Sequence, residues 1–479
     1  MPAPLFLVGF MAAGKSSVGR LLAQATQRRF VDLDDMIAEQ GEPVPALVAR
    51  DEAEFRRREA AALAQVIGEA DAPIVATGGG CAAFGDNMMR MRSAGLVVAL
   101  DVELGTARTR AAHGPVRPLL ADDERAAQLA ARRAPAYRRA HAVVDTTRRS
   151  LLEVVEAVAQ VERAWYRLPP SRRDATLLAL GERTYPVAVH ERAVDGELLR
   201  AYVKDATQIV VITDHEVGRH WQTSAIAAFQ GAAGVLSIEP GEASKSLAVY
   251  GRMCEALVAG GLDRGSVLVA LGGGVVGDLT GFIASTLFRG IPVIQLPTTL
   301  VAMTDAAIGG KTAVDLEAGK NLVGAFWQPR LVACGLETLT TLPPRERRAG
   351  FGELWKYALL DGAELWQLVD SCAPWAAGAA EALPPALHEV IQRSIAYKAA
   401  IVGSDERELT GRRALLNLGH TVGHAIESAT GLHHGEAVGL GLIAAARVSA
   451  AVAGARRDLE AEITAALRRT GLPADLDPL

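Results

Sequence analysis

The apolar run PLFLVGF passes straight into the glycine loop GFMAAGKSS, and this junction constrains the N-terminal third of the chain more than any other feature. Gly9, Gly14, Lys15 and Ser16 satisfy the spacing G-x-x-x-x-G-K-[ST]. With the periodic segment VGRLLAQAT behind it, the pattern predicts a strand, a loop of exposed backbone N–H groups and a helix N-terminus. That combination cradles phosphate: the amides and the helix dipole favour an anion, Lys15 neutralises it, and the Ser16 hydroxyl is placed to hold Mg²⁺. The fold class that supplies such a junction is α/β with a parallel sheet.

The rest of the chain needs further cores, because 479 residues at about 100 to 200 per domain predict two to four domains. Half the residues are hydrophobic and 22% are charged, with no segment near the roughly twenty uninterrupted apolar residues of a membrane span. The opening MPAPLFLVGF lacks a basic region and predicts a buried strand rather than a signal peptide, so a cytoplasmic location is expected. Cys81, Cys254, Cys334 and Cys372 have no CxxC spacing, which argues against a disulfide framework and against a thiolate metal site. A formal net charge of −5 gives no global attraction to nucleic acid or to an anionic membrane. Local basic clusters therefore call for small phosphorylated or carboxylated ligands.

Several such clusters follow the glycine loop. RRFVDLDDMI puts Asp32 and Asp34 at i and i+2 at the end of a predicted strand, projecting to one side. One is suited to orient the water of a metal and the other to accept a hydroxyl proton; a solvated acidic turn is the plain alternative. PIVATGGGCA places Gly78, Gly79 and Gly80 after a strand, where backbone can approach a ligand closely. EFRRREAA supplies Arg56, and the segment from TARTR to RAPAYRR supplies Arg110, Arg117 and Arg133. Arginine-rich helices are commonly solvated faces, but a P-loop kinase also needs guanidinium groups over the transferring phosphoryl and on a substrate carboxylate. The loop, the D-x-D, FR, GGG, RPLL and R-x-P-x-Y occur in that order, and residues 1–165 resemble shikimate kinase along nearly their whole length. The resemblance implies ATP on Gly14, Lys15, Ser17 and the loop amides, and Mg²⁺ on Ser16 and Asp32. Lys15 and Arg117 would act on the transferring phosphoryl, with Arg110 and Arg117 over the nucleotide. Shikimate would be held by Asp34, Arg56, Gly79 and Arg133, with Asp34 as the base. One departure is Ala12, where the family usually has glycine; its methyl group crowds the phosphates if that position needs φ > 0.

A proline pair flanked by charge, in VERAWYRLPPSRRDATLLAL, predicts a linker at 166–175, followed by an α/β domain at 176–340 and a helical domain at 341–479. IVVITDHEV and SVLVALGGGVVGDLTGFIAS read as buried parallel strands feeding helices. The second holds Gly272-x-Gly274-x-x-Gly277, formally a dinucleotide fingerprint, although tight packing of helix on strand explains the same glycines. No acidic residue ends a following strand at the usual distance; VIQLPTT offers Thr298 and Thr299 instead. Around it lie Glu242 and Lys245, Arg289, Asp305 and Lys311, then Lys320 and Asn321, polar groups interleaved with glycine in an otherwise apolar region. A plain solvated face would be regularly polar, so this pattern points to anionic ligands.

Four of the ten histidines crowd LNLGHTVGHAIESATGLHHGEAVG. His420 and His424 share a helix face at i, i+4, but the HTVGH spacing lacks the glutamate of a zinc protease. His434 follows His420 by fourteen residues, about 21 Å along an unbroken helix and too far for a shared ion. The helix must therefore end, and Gly431 is the breaker that allows His434 to turn back. A catalytic zinc site commonly takes three protein ligands, so two histidines call for a third, and Glu353 in GFGELWKYALL, with Lys356 at i+3, is the best carboxylate. Ordinary core histidines are the alternative.

The motifs PGExxKS, ALGGGVVGDLTGF, QLPTTL, GGKT, GKNLVG, GELWKY, DERE and LNLGHTVGHAIE occur in the order of 3-dehydroquinate synthase, which this part of the chain resembles from LGERTYPV to HHGEAVGLGL. The resemblance implies a Rossmann-like α/β domain followed by an all-helical metal-binding domain. NAD would lie on Glu242, Lys245, Gly274, Val275, Val276, Gly277, Asp278, Thr298 and Thr299, with Lys311, Lys320 and Thr341 beside it. Zn²⁺, or Co²⁺ on the same ligands, would sit on Glu353, His420 and His434, with His424 a catalytic neighbour. Lys311, Lys356 and Asn417 would serve catalysis, and Arg289, Asp305, Asn321, Lys398 and Arg413 would bind a phosphorylated seven-carbon keto acid, Arg289 from across a homodimer interface. The family normally continues past RRTGLPADLDPL with a segment carrying Asp-Lys-Lys. Small-molecule partners, heptulosonate phosphate and shikimate, are expected, with neither nucleic acid nor membrane. The rival readings are a related sugar-phosphate cyclase or metal-dependent polyol dehydrogenase fused to a small-molecule kinase, and a scaffold that has lost turnover.

Overall fold

The computed structural model describes residues 2–39, 41–112 and 122–475, and the chain divides into two units, Met1–Arg167 with Arg173–Thr184 and Leu168–Arg172 with Tyr185–Leu479. In the first unit, Leu5–Gly9 (β1), Phe30–Asp32 (β2), Ile74–Ala76 (β3), Leu96–Asp101 (β4) and Ala142–Asp145 (β5) form a parallel sheet in the order β2-β3-β1-β4-β5. β1 is buried at every residue, as its apolar sequence requires of a central strand covered on both faces. Because the strands are parallel, the loops that leave β1, β2 and β3 all emerge at one edge. That edge gathers the glycine loop, Asp32 and the glycines at 78–80. The strand Thr176–Leu178 (β6) belongs to the returning segment of this unit.

One local expectation is corrected here. Asp34 does not extend a strand beside Asp32: β2 ends at Asp32, and Asp34 lies in the first turn of the helix Leu33–Ala38. Asp32 caps that helix by accepting the Asp34 N–H at 3.1 Å, because an aspartate before a helical segment satisfies one of its unpaired amides.

In the second unit the strands are Tyr185–His190 (β7), Ile209–Asp214 (β8), Ala233–Ile238 (β9), Val267–Gly272 (β10), Val293–Pro297 (β11), Lys311–Leu316 (β12), Gly319–Phe326 (β13) and Leu331–Gly335 (β14). Six of them pair in parallel as β7-β14-β11-β10-β8-β9. β10 is buried throughout and runs into the helix Gly274–Thr286, the strand–glycine–helix junction the fingerprint predicted. β12 and β13 form a separate antiparallel hairpin, which the glycine-interleaved sequence did not announce. Gly324 is needed there, since a Cβ on it would lie 2.2 Å from the Thr312 carbonyl oxygen.

From Pro344 onward the described elements are helical or turns. Pro344–Asp361 packs on His434–Val452 through paired glycines: a Cβ on Gly352 would meet the Gly435 carbonyl oxygen at 2.0 Å, and one on Gly435 the Ala349 carbonyl oxygen at 1.7 Å. Without side chains the two backbones come close enough to bring Glu353 opposite His434. By length and composition His434–Val452 is the one described helix apolar enough to cross a membrane; it packs against His420–Thr430 and Leu459–Arg469 as well as Pro344–Asp361.

Candidate functional sites

In the first unit Gly14 has φ +97°, and a Cβ there would touch only Val18 at 3.9 Å, so the loop leaves an open cradle. Lys15, at the start of the helix Lys15–Thr26, donates to the Gly9 and Phe10 carbonyls at 2.9 Å each, which holds its ammonium over the loop. The Ser16 hydroxyl donates to Asp32 Oδ2 at 2.6 Å, joining the two expected Mg²⁺ ligands, and Ser17 is exposed beside them. Ala12 has φ +59°, the left-handed conformation in which its methyl group is unfavourable. Arg110 donates to Thr146 Oγ1 at 3.0 Å and to the Thr146 carbonyl at 2.5 Å. Arg117 and the RPLL motif lie outside the described residues.

The glycine turn at 78–80 is where the expected shikimate residues meet. A Cβ on Gly78 would lie 3.1 Å from Asp34 Oδ1, one on Gly79 3.5 Å from Arg133 Nη1, and one on Gly80 2.4 Å from Arg56 Nη2. The side chains close on bare backbone, as the absence of side chains predicted. Glu59, which the sequence reading did not single out, is fully buried here and accepts from Arg56 Nη1 at 2.7 Å. Burial raises its carboxyl above the usual range despite the opposing Arg56 charge. Tyr137 donates to the Gly79 carbonyl, and burial pushes its phenol up to about 12.

The second unit brings Glu353, His420 and His434 together. Glu353 Oε1 lies 3.5 Å from His420 Nε2 and 3.2 Å from His434 Nε2, and Oε2 pairs with Lys356. Burial acts to raise the Glu353 carboxyl, but Lys356 and His434 outweigh it and hold it down to about 2. One oxygen and two imidazole nitrogens facing a common point, with Glu353 Oε1 buried and lacking a well-formed hydrogen bond, fit a divalent cation. The helix His420–Thr430 ends at Gly431 with φ +69°, and His434 opens the next helix, the turn back that the spacing required. His424 is exposed, its ring 5.2 Å from that of His420.

Next to this cluster, Asp305 sits in a π-helical turn, Ala302–Ala306, of the kind frequent at functional positions. It receives Lys398 Nζ at 2.7 Å and the Tyr357 hydroxyl at 3.0 Å, with Lys356 Nζ 3.8 Å away. Burial dominates Lys398 and lowers its ammonium to about 8.

At the dinucleotide turn, Gly274 opens the helix and a Cβ there would touch only Ala306 at 3.6 Å; Val275 is half-buried, Val276 buried, and a Cβ on Gly277 would press on Gln295 at 2.9 Å. Thr298 follows β11 with a buried hydroxyl that has no hydrogen-bond partner among the described residues, an orphan that a bound ligand would satisfy. Thr299 accepts the Ala302 N–H at 3.1 Å. Lys245 Nζ lies 2.6 Å from Asp278 and 3.8 Å from Glu242, and burial raises both carboxyls. Glycine turn, orphan hydroxyl and charged cluster suit a dinucleotide. Thr341 ends the turn Leu336–Thr341 and accepts from Trp221 Nε1 at 3.0 Å.

The remaining cations line the hairpin. Lys311, on β12, pairs with Glu408 at 2.5 Å, and buried Arg413 reaches the same oxygen at 3.4 Å. Lys320, on β13, pairs with Glu427 at 2.7 Å. Asn321, exposed with φ +58°, donates its N–H to Asp315 at 2.7 Å. Asn417 is exposed at the end of the turn Arg412–Asn417, and Arg289 is exposed with φ +69°. Glu408, Glu427 and Tyr357 complete these contacts without any spacing in the sequence that marks them. Each stands inside one of the ordered motifs, DERE, GHAIE and ELWKY, and that membership is the one signal that could have found it.

A family model described as 3-dehydroquinate synthase N-terminal matches residues 235–349, one described as 3-dehydroquinate synthase C-terminal matches 350–479, and one described as shikimate kinase matches 11–162. The 3-dehydroquinate synthase of Caulobacter vibrioides (strain NA1000 / CB15N) is 44% identical over 308 residues, 62% of this chain and 82% of that protein. That of Opitutus terrae (strain DSM 11246 / JCM 15787 / PB90-1) is 48% identical over 278 residues, 57% of this chain and 75% of that protein. Among solved structures, a 2-deoxy-scyllo-inosose synthase complexed with carbaglucose-6-phosphate, NAD+ and Co2+ has 29% identity and a TM-score of 0.57, covering 64% of this chain and 84% of its own. The 2-epi-5-epi-valiolone synthase of Streptomyces hygroscopicus subsp. jinggangensis 5008, with NAD+ and Zn2+ bound, has 26% identity and a TM-score of 0.55, covering 61% and 81%. The chain therefore belongs to the 3-dehydroquinate synthase family and carries a shikimate kinase domain ahead of the synthase.

Proposed function

We propose that the chain catalyses two reactions of aromatic biosynthesis. Residues 1–165 phosphorylate shikimate from ATP to shikimate 3-phosphate. Residues 176–479 convert 3-deoxy-D-arabino-heptulosonate 7-phosphate to 3-dehydroquinate with release of phosphate. The observation that carries the synthase reading is the convergence of Glu353 with His420 and His434 next to the Asp305–Lys398 pair. Relatives named 3-dehydroquinate synthase at 40 to 48% identity, against 29% and 26% for the two other cyclases, favour the heptulosonate over another sugar phosphate.

In the kinase, Lys15 and the loop amides hold the phosphates, and Ser16 and Asp32 would hold Mg²⁺, which when bound would supply charge neutralisation at the phosphates. Arg56 and Arg133 receive the shikimate carboxylate, and Asp34 accepts the proton of the hydroxyl that is phosphorylated. In the synthase, Glu353, His420 and His434 would hold Zn²⁺ or Co²⁺, and the Gly274 turn with Thr298, Lys245 and Asp278 would hold NAD. When bound, these groups supply polarisation of a substrate oxygen and reversible hydride transfer. Lys356 and Lys398 keep Asp305 ionised and orient the substrate's polar end, while Lys311, Lys320 and Arg413 receive its phosphate, with His424 and Asn417 at the exposed rim. Arg289 reaches the site of a second copy in a homodimer formed through this unit, and the enzyme works in the cytoplasm.

The test uses the full chain in two assays: phosphate release from the heptulosonate phosphate with NAD and Zn²⁺, and ADP formation from ATP, Mg²⁺ and shikimate. Both are expected to be positive, without accumulation of NADH. Silence in either removes that activity, and steady release of NADH would identify a dehydrogenase instead.

A further inference from the structure

Glu427 has no role in the reading above, yet its carboxylate holds two parts of the synthase site at once. It lies on the helix His420–Thr430, seven residues after His420 and three after His424, a spacing that returns it to the same face. Its Oε2 is 3.1 Å from His434 Nδ1 and its Oε1 is 2.7 Å from Lys320 Nζ. The opposite nitrogen of the same imidazole, His434 Nε2, faces Glu353 Oε1 at 3.2 Å.

The two histidines are arranged alike in this respect. His420 points Nδ1 at the Leu418 carbonyl oxygen, 3.2 Å away, and Nε2 at Glu353. A ligating imidazole almost always donates its other N–H to a carbonyl or a carboxylate, which fixes the tautomer and the ring plane. His420 obtains that partner from its own backbone two residues earlier. His434 also opens its helix, after the turn at Gly431 and His433, but its Nδ1 faces a carboxylate oxygen, Glu427 Oε2, instead of a carbonyl. Glu427 is the group that stands in the equivalent place.

We propose that Glu427 is a positioning residue: it holds His434 with Nδ1 protonated and Nε2 turned to the point shared with Glu353 and His420, and it ties the Lys320 hairpin to the same helix. The inference rests on reading Glu353, His420 and His434 as the ligands of a divalent cation. Through Lys320 it also links the strand pair β12–β13 to the orientation of a ligand histidine, so a substrate anion that draws Lys320 away leaves both carboxylate oxygens available to His434.

The test is titration of metal-free full-length protein with Co²⁺, followed by its visible absorption and by competition with a chelator, which needs no turnover. Wild type is expected to bind one equivalent, and Glu353→Gln to lose it. Glu427→Ala is expected to weaken binding by about 10- to 100-fold. Glu427→Gln should weaken it less, because its amide oxygen still accepts the Nδ1 proton. Lys320→Met, which leaves the Glu427 contact to His434 in place, should change Co²⁺ affinity less than Glu427→Ala does while raising KM for the phosphorylated substrate. Far-ultraviolet circular dichroism of the metal-free variants serves as the folding control. Wild-type affinity in a folded Glu427→Ala variant overturns the positioning role. Loss of a second, separate Co²⁺ equivalent in that variant, with the first intact, also overturns it and makes Glu427 a ligand with His424 and His434. Failure of wild type to bind Co²⁺, or no effect of Glu353→Gln, instead removes the metal-site reading itself.

Discussion

Two residues turn local geometry into measurable consequences. Ala12 occupies a left-handed position, φ +59°, in the phosphate loop. A non-glycine residue there is unfavourable by roughly 1–2 kcal/mol, part of which glycine gives back through the greater freedom of its unfolded chain. Ala12→Gly is therefore expected to stabilise the unfolding transition of the first unit by about 1 kcal/mol and to lower KM for ATP. Denaturant titration and initial-rate kinetics check both; an unchanged or lower stability would mean the loop does not carry this strain. Lys398 is the second. Its ammonium is lowered from 10.5 to about 8 because burial opposes the charge more than Asp305 supports it. The charged form prevails below about pH 8 and is lost above it, so synthase kcat/KM, which reports the free enzyme, should fall on the alkaline side of about pH 8. Lys398→Arg keeps the charge at any working pH, and whatever activity it retains should lack that limb. An identical limb in the variant would assign the ionisation elsewhere. The residues that carry this chemistry were legible where type and spacing coincided, as with Glu353 three residues before Lys356. They were not where one long-range contact decides the role: Glu427 meets Lys320 across 107 positions of sequence, and no periodicity encodes that.

At the scale of elements, the glycine junctions were readable because they combine apolar runs with residues chosen for backbone approach. Asp34 was misplaced because a period of two and the first turn of a capped helix both set i and i+2 near each other. The hairpin β12–β13 escaped because its glycines obscure alternation and its register shifts between Val314 and Leu316, which breaks the period of two. The contact of Pro344–Asp361 with His434–Val452 is the element-level feature on which the metal cluster depends. Gly435 lets the backbones approach, with a would-be Cβ 1.7 Å from the Ala349 carbonyl oxygen, and neither backbone has a flexible end to move aside. Gly435→Ala is expected to force the helices apart and destabilise the second unit by about 1–3 kcal/mol. Because Glu353 and His434 ride on opposite sides of this contact, Co²⁺ affinity should fall as well. A variant with unchanged stability and unchanged Co²⁺ binding would show that the two helices need no such approach.

At the scale of the whole molecule, the two candidate sites differ in a way that makes them separable. Each is assembled from side chains of its own unit: Lys15, Ser16, Asp32 and the residues around Gly79 in the first, Glu353, His420, His434 and the Asp305 network in the second. Their cations also differ in kind. Ser16 and Asp32 offer oxygen alone, a set suited to Mg²⁺ that keeps its waters and leans on substrate phosphates. The second set offers two imidazole nitrogens and one carboxylate, which favours zinc or cobalt over magnesium. A chelator that prefers nitrogen-bound transition metals, such as dipicolinate in excess Mg²⁺, should therefore abolish phosphate release from the heptulosonate phosphate while ADP formation with shikimate continues. Lys15→Met should do the reverse, silencing the kinase and leaving kcat and KM of the synthase unchanged. The reactions are not consecutive, so no intermediate passes between the sites and neither rate should depend on the other's substrate. If dipicolinate slowed the kinase, or Lys15→Met altered the synthase, the two sites would be energetically coupled and not separable.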